Sequence, residues 1–266
     1  MKVGVAGCAG RMGRKLLSSI VDRSEFELSG GTEKLGSKFI GQRIGSLIER
    51  EHPAILVESD AKVVFEKSDA IIDFTLPDAT LKHVQLAAET RTALIIGTTG
   101  IDEKIQISIE EAALDTTIVQ AGNMSLGINV LIGLAEQGAR ALGKEWDVEI
   151  VEMHHRNKVD APSGTALMLG RAAARGLGFN HEEVAEFGRQ GNDSARKKSS
   201  IGYAAMRGGD VIGEHSIIFA GLGEQLEFSH KASDRALFVN GALYAALWTL
   251  GKPSGLFNMR DVLGLS

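Results

Sequence analysis

The chain has a single cysteine, Cys8, in 266 residues, so no intrachain disulfide can form, and this usage fits a reducing compartment. Proline is scarce too, with 4 residues against 32 glycines, which argues against Pro-rich linkers and for tight turns and close backbone approaches. No stretch approaches the roughly 20 apolar residues needed to span a bilayer. The opening Lys2-Val3-Gly4-Val5-Ala6 is strand-like and lacks the apolar run of a secretion signal. We therefore expect a cytoplasmic protein with no membrane partner. Positive charge is not in excess either: the net charge is -5, which argues against general nucleic-acid binding.

What remains is ordinary for a globular chain, with 44% apolar and 24% charged residues. The length suits one large domain or two small ones. Neither repeats nor low-complexity segments occur.

Val3 to Ala6 runs into Gly7-Cys8-Ala9-Gly10-Arg11-Met12-Gly13, after which Met12, Leu16 and Ile20 recur at helical spacing. Strand, glycine loop and helix in that order form a variant of the dinucleotide fingerprint, in which small residues let backbone approach a pyrophosphate at a helix N-terminus. A glycine triplet is a weak signal alone, and a plain turn would look the same. A second strand, Phe26 to Ser29, leads to Glu33, about 20 residues past the last glycine, where an acid meets the ribose hydroxyls. Lys34 follows directly. The acid favours NAD and the cation can accept the extra phosphate of NADP, so weak discrimination between NADH and NADPH is expected; a solvated charge pair is the bland alternative.

Residues 35 to 62 lack firm periodicity and are read as a loop with one short helix. The pattern then resumes with a buried-type strand at Ala70 to Thr75, a helix near Asp78 to Thr90, and a strand at Ala93 to Ile96. A helix near Glu103 to Ala113 and a strand at Thr117 to Ala121 follow. Strands alternating with helices predict an α/β fold with a Rossmann-like, doubly wound parallel sheet. Ligands of such sheets lie outside the carboxyl ends of the strands. That singles out Phe74 and Thr75, then Gly97, Thr98 and Thr99, then Ala121, Gly122, Asn123 and Met124 as cofactor-binding candidates beside the glycine loop and Glu33-Lys34.

A helical stretch, Leu126 to Leu142, leads to a strand at Asp147 to Met153 and then to Glu152-Met-His-His-Arg-Asn-Lys-Val-Asp-Ala-Pro-Ser-Gly-Thr-Ala166. Two histidines, an arginine and a lysine crowd five residues there, and Ser163-Gly164-Thr165 opens a helix whose free N–H groups suit a carboxylate. Asn180 to Ser200 is polar and reads as a mobile surface loop or a lid. Strands at Ile201 to Met206, Val211 to Ala220 and Gln225 to Lys231 suggest an open mixed or antiparallel sheet whose outer face another subunit covers. This predicts a second, α+β domain. The boundaries expected are 1–126 plus about 240–266 for the dinucleotide domain and 127–239 for substrate binding and oligomerisation. The tail Met259 to Leu263 is expected to pack back on the first domain.

Hydride transfer onto a carbon conjugated with C=N or C=O builds negative charge that a nearby acid must quench. His154 and Lys158, four apart, can converge to do this, and the cations around them call for an acidic substrate with more than one carboxylate. A structural histidine is the plainer reading. No metal is expected, because His52, His83, His181, His215 and His230 show no ligand spacing. Ser163 lacks the Gly-x-Ser-x-Gly elbow of a hydrolytic nucleophile. A nucleotide-sensing protein, or a dehydrogenase of another small acid, would share the glycine loop.

The stretch Glu-x-His-His-x-x-Lys-x-Asp-Ala-Pro-Ser-Gly-Thr-Ala at 152 to 166 closely resembles the signature of the 4-hydroxy-tetrahydrodipicolinate reductase family, also called dihydrodipicolinate reductases. Further similar motifs are Gly-x-x-Gly-Arg-Met-Gly at 7 to 13, Asp-Phe-Thr at 73 to 75, Gly-Thr-Thr-Gly at 97 to 100, Asn-x-Ser-x-Gly at 123 to 127 and Gly-Glu-His at 213 to 215. The resemblance implies NAD(P)H-dependent reduction of a cyclic dicarboxylate imine, with loss of its 4-hydroxyl as water, in the diaminopimelate route to lysine. It makes His154 the proton donor with Lys158 as partner acid, and gives His155, Ser163, Gly164 and Thr165 to the substrate. It also implies a homotetramer and an active site between two domains. Lys34 stands where Arg is often found, Leu76 where some members have a basic residue, and Met124 where Phe is common, so cofactor preference stays open.

Overall fold

The computed structural model describes residues 1–51, 55–192 and 194–265, so His52 and part of the 35–62 and 180–200 readings lie outside the described residues. In chain order the first elements are β1 (Lys2–Ala6), α1 (Arg11–Val21), β2 (Glu27–Thr32), α2 (Ile44–Ile48), β3 (Val57–Glu58) and α3 (Ala61–Phe65). They continue with β4 (Ala70–Asp73), α4 (Pro77–Thr90), β5 (Ala93–Ile96), α5 (Glu103–Ala112) and β6 (Thr117–Gln120). Next come α6 (Leu126–Leu142), β7 (Asp147–His154), α7 (Gly164–Leu177), α8 (His181–Val184), β8 (Ala185–Phe187), β9 (Ile201–Arg207), β10 (Gly213–Gly221) and β11 (Glu224–Ala232). The chain ends in α9 (Ala236–Trp248), β12 (Gly255–Phe257) and α10 (Met259–Leu263).

The chain divides into two compact units, one of Met1–Ser125 with Phe238–Gly264, the other centred on Leu126–Leu237. In the first, seven parallel strands are ordered β12-β6-β5-β4-β1-β2-β3. Every residue of β4 and β5 is buried, as expected of central strands covered on both faces. This is the Rossmann-like sheet anticipated from the alternating pattern, enlarged by two strands that the pattern did not reveal. β3 has two residues and β12 three, too few to show a period, and they exist because a sheet edge was available to pair with. The 35–62 region, expected to be a loop with one short helix, thus holds α2 and also β3, and α3 begins at its end.

The second unit is a mixed five-stranded sheet, β11-β10-β7-β9-β8, with α6 and α7 packed on one face. Strand alternation positions the chemistry. Along β7, Val148, Ile150, Glu152 and His154 share the buried face; along β10, Gly213, His215, Ile217 and Phe219 do so. Glu152, His154 and His215 therefore continue the inner face of the sheet past the point where the apolar core ends. α7 starts beside them, capped by Ser163, whose Oγ accepts the Ala166 N–H, and it stops at Gly178 with φ 70°.

The segment from Asn180 to Ser200 is not a featureless loop. It carries α8 and β8, and Arg189 and Arg196 bind it to Glu149 on β7, with Arg189 also holding Glu186. No helix among the described residues is long and apolar enough to cross a membrane.

Candidate active site

In the first unit the strand order reverses between β1 and β4, the position at which open α/β sheets hold ligands. The loop after β1 is drawn tight. The Gly10 N–H donates to Gly7 O at 3.0 Å, and a Cβ on Gly13 would lie 2.3 Å from that same oxygen. Gly10 is exposed and caps α1 without a side-chain hydrogen bond, so the first-turn N–H groups of this 11-residue helix face an open cradle suited to a pyrophosphate. Ala9 and Met12 are half-buried and Arg11 exposed. Glu33 reaches back to the loop, its Oε1 accepting the Ala9 N–H at 2.9 Å, while Lys34 is exposed beside it.

Cys8 turns the other way. Its side chain is fully buried against Gly31, and burial, followed by the charge of Glu33, pushes the thiol up to about 12. Only its backbone faces the loop's business, and the thiol is an inert packing group.

The loops after β4, β5 and β6 stand next to one another. A Cβ on Gly97 would sit 2.3 Å from Phe74, and one on Gly7 would sit 2.8 Å from Thr75. Behind them lies Asp73, wholly buried. Its Oδ1 accepts the Thr75 N–H at 2.7 Å and the Thr75 hydroxyl at 2.6 Å, and its Oδ2 is 2.8 Å from His83 Nδ1. Thr98 is buried against the same carboxylate and takes a hydrogen bond from Thr80. Thr99 and Gly122 are exposed, Ala121 and Asn123 half-buried, and Met124 is buried with its carbonyl against Gly241 of α9.

In the second unit Glu152 and His154 lie two apart on β7, and Glu152 Oε2 is 2.6 Å from His154 Nδ1. The other oxygen, Oε1, accepts the Ser163 N–H at 3.1 Å at the start of α7. Arg207, at the end of β9 and in register with His154, donates to Oε2 at 2.8 Å and to Oε1 at 2.9 Å. Burial pushes the Glu152 carboxyl up, but the hydrogen bonds from Arg207 and His154 outweigh it and leave the group below its ordinary value. His154 is held below its ordinary value by burial first; Glu152 pulls it up, and Lys158 and Arg207 push it down.

The His215 ring meets His154 edge-on at 5.0 Å, and its Nε2 is 3.0 Å from Ser163 Oγ. Burial, then the neighbouring His154, pushes His215 down to about 4, so it is neutral. Lys158 is held over the turn by its N–H to His155 O and by an ion pair of 2.9 Å to Asp160, whose carboxyl lies below its ordinary value chiefly through that bond. His155 and Thr165 are half-buried and Gly164 is exposed, with nothing within 4 Å of the place a Cβ would occupy. The Ala161–Pro162 peptide is cis.

The six residues singled out in this stretch thus lie at the end of β7 (His154), in the turn after it (His155 and Lys158) and at the start of α7 (Ser163, Gly164 and Thr165). Glu152, Arg207 and His215 were missed as site residues. The signal for Glu152 was its parity with Val148 and Ile150. The signal for His215 was the Gly-Glu-His motif at 213 to 215, whereas Arg207 arrives from another strand with no local mark.

The first unit carries the glycine loop and strand-end loops of a dinucleotide-binding sheet, and the second an acid-paired histidine with a lysine in the turn that follows. The class is that of the nicotinamide-dependent oxidoreductases. Family models match both halves: dihydrodipicolinate reductase, N-terminus, over residues 1–124, and dihydrodipicolinate reductase, C-terminus, over residues 127–263. The chain belongs to the dihydrodipicolinate reductase family. It is 48% identical to the 4-hydroxy-tetrahydrodipicolinate reductase of Ruegeria sp. (strain TM1040), over 98% of this chain and 97% of that protein. It is also 48% identical to that of Parvibaculum lavamentivorans, over 100% and 98%. Among solved structures, a dipicolinate-bound dihydrodipicolinate reductase from Paenisporosarcina sp. TG-14 shares the fold, with a TM-score of 0.78, 22% identity and 98% coverage of both chains.

Proposed function

We propose that this chain reduces 4-hydroxy-tetrahydrodipicolinate to tetrahydrodipicolinate with loss of water, using NADH or NADPH, in the diaminopimelate route to lysine. The observation that carries the reading is the pairing of His154 with Glu152 beside the start of α7 and Lys158. Support comes from the names of the relatives and from the dipicolinate, a planar ring dicarboxylate, bound by the solved neighbour.

In the first unit Gly7 to Met12 would hold the pyrophosphate, Glu33 and Lys34 the adenosine ribose, and the Phe74–Thr75, Gly97–Thr99 and Ala121–Met124 loops the nicotinamide end. The bound nicotinamide supplies a hydride. What the chain itself must supply is the proton and the grip on the anion. Glu152 takes the His154 Nδ1–H, which leaves Nε2 as the nitrogen that carries the transferable proton. Ser163, Gly164 and Thr165 set the start of α7, the positive end of its dipole, against one carboxylate, and His155 adds a further donor. Lys158 exchanges its Asp160 partner for the substrate, and its charge stabilises the negative charge that builds as hydride arrives. A dianionic substrate also favours the charged form of His154, readying the donor only when there is something to protonate.

The same reading includes a homotetramer formed through the open face of the second sheet and a cytoplasmic location, supported by the absence of any disulfide-capable cysteine pair. The test is a coupled assay in which dihydrodipicolinate synthase makes the heterocycle from pyruvate and aspartate semialdehyde. Oxidation of NADH or NADPH on adding this protein is the expected result, and none would reject the assignment.

A further inference from the structure

The guanidinium of Arg207 touches two separate parts of the site. Nη1 and Nη2 grip the two oxygens of Glu152 as a fork, and Nη2 also donates to the Asp160 carbonyl at 2.7 Å, in the turn between Lys158 and Ser163. Glu152, 1% exposed, in turn spends one oxygen on His154 and the other on the Ser163 N–H. We propose that Arg207 is a positioning residue for proton delivery, acting through Glu152 to fix at once the ring of His154, the start of α7 and the turn carrying Lys158. The proposal rests on the reading of His154 as proton donor.

The physical argument begins with the cost of burying a carboxylate. Removed from water without a cation, Glu152 would protonate, and a protonated carboxyl cannot accept at both oxygens while also orienting Nδ1–H. His154 would then sample both tautomers, and the Ser163 N–H would lose a charged acceptor at the position that shapes the anion cradle. A lysine at 207 would keep the charge without the fork, because one ammonium cannot hold both oxygens in plane and reach the Asp160 carbonyl. The charged and titratable groups around His154 are Glu152 on its own strand, Lys158 and Asp160 from the turn, Arg207 from β9 and His215 from β10, with His230 of β11 facing His215 across the ladder. Arg207 is the one among them that bonds both the strand and the turn.

Four proteins test this: Arg207→Gln, Arg207→Lys, Glu152→Gln and the Arg207→Gln/Glu152→Gln double variant. NADH binding, followed by fluorescence, should stay within about twofold of the parent and reports that the first unit is intact. Arg207→Gln should lower kcat at least about tenfold, and the acid limb of its pH profile should move to higher pH as Glu152 ceases to be held ionised. Arg207→Lys should lose activity with a smaller displacement of that limb, and it carries the test if the glutamine variant does not fold. The double variant should be no worse than Glu152→Gln alone, since the arginine has nothing left to act through. Side-chain nitrogen NMR of the substrate-free protein should show His154 protonated at Nδ1 in the parent and as a tautomer mixture in Arg207→Gln. Multiplicative losses in the double variant, or an unchanged tautomer, would overturn the proposal. Should the parent protein fail to oxidise NAD(P)H in the coupled assay, the functional reading falls by itself, and the NMR comparison still decides the role of Arg207.

Discussion

His154 Nδ1 lies 2.6 Å from Glu152 Oε2, two residues back along the same strand, and this spacing decides which ring nitrogen is free to work. Because burial holds His154 below its ordinary 6.5, the cationic, proton-giving form is lost as pH rises through a value under 6.5 in the free protein. The kcat/KM profile should therefore decline on its alkaline side from below that pH. A decline only in the lysine range would move the donor's role to Lys158. His154→Ala and Lys158→Ala should each lower kcat by about 100-fold or more while leaving NADH binding unchanged, as read by single-turnover kinetics and fluorescence titration.

Asp73 makes a second prediction, one about stability. Burial alone would raise this carboxyl, but the hydrogen bonds from His83 and Thr75 bring it below its ordinary 3.8. A group lowered on folding stabilises the fold fully above its unfolded value, and the benefit is lost as pH falls through the folded value. Asp73→Asn should cost on the order of 3 kcal/mol at pH 7 in urea unfolding. The gap from the parent should stay flat above about pH 5 and narrow only below the ordinary value. A gap that does not change in acid would mean that the ionised form is not what stabilises the loops at Thr75 and Thr98.

How far the sequence reached follows from the range of each signal. The alternation of apolar runs was enough for the parallel sheet, and the spacing within 152–166 was enough to draw His154, His155, Lys158 and Ser163–Thr165 together. Glu152 was within reach, since Val148 and Ile150 give the parity of the buried face; a rule that charges point outward hides it, because Asp147 and Glu149 do point outward. Arg207 was not. It stands opposite His154 only because β9 pairs with β7 in that register, and a parallel pairing across the intervening α7, α8 and β8 leaves no local periodicity. Likewise β3 and β12 are shorter than one alternation and become strands through their neighbours.

Glu33 is engaged by the Ala9 N–H through one oxygen, and Lys34 is exposed at the end of β2. An acid restrained in this way can serve ribose hydroxyls without filling the space of a 2′-phosphate, and the lysine can meet that phosphate. Dissociation constants for NADH and NADPH should differ by less than about 100-fold, roughly 2.7 kcal/mol. Lys34→Ala should weaken NADPH alone, and Glu33→Gln should weaken NADH more than NADPH. Isothermal titration on the substrate-free protein measures both; equal losses for the two cofactors in Lys34→Ala would remove the lysine from discrimination.

Gly241, in the middle of α9, has no local reason to be glycine: the helix is otherwise apolar, and a glycine there costs about 1 kcal/mol relative to alanine on propensity alone. Its reason is Met124. A Cβ at 241 would lie 1.7 Å from the Met124 carbonyl oxygen and 2.8 Å from its carbon, backbone atoms that cannot swing aside as a side chain could. Gly241→Ala should therefore destabilise by about 1–3 kcal/mol, the cost of overpacking, where propensity alone predicts a gain. It should also weaken NADH binding, because relief of the clash displaces the Ala121–Met124 loop, while the imidazole signal of His154 stays where it was. Denaturant unfolding and fluorescence titration read the two effects separately. A more stable variant, or one that binds NADH as tightly as the parent, would show that α9 does not set the position of this loop.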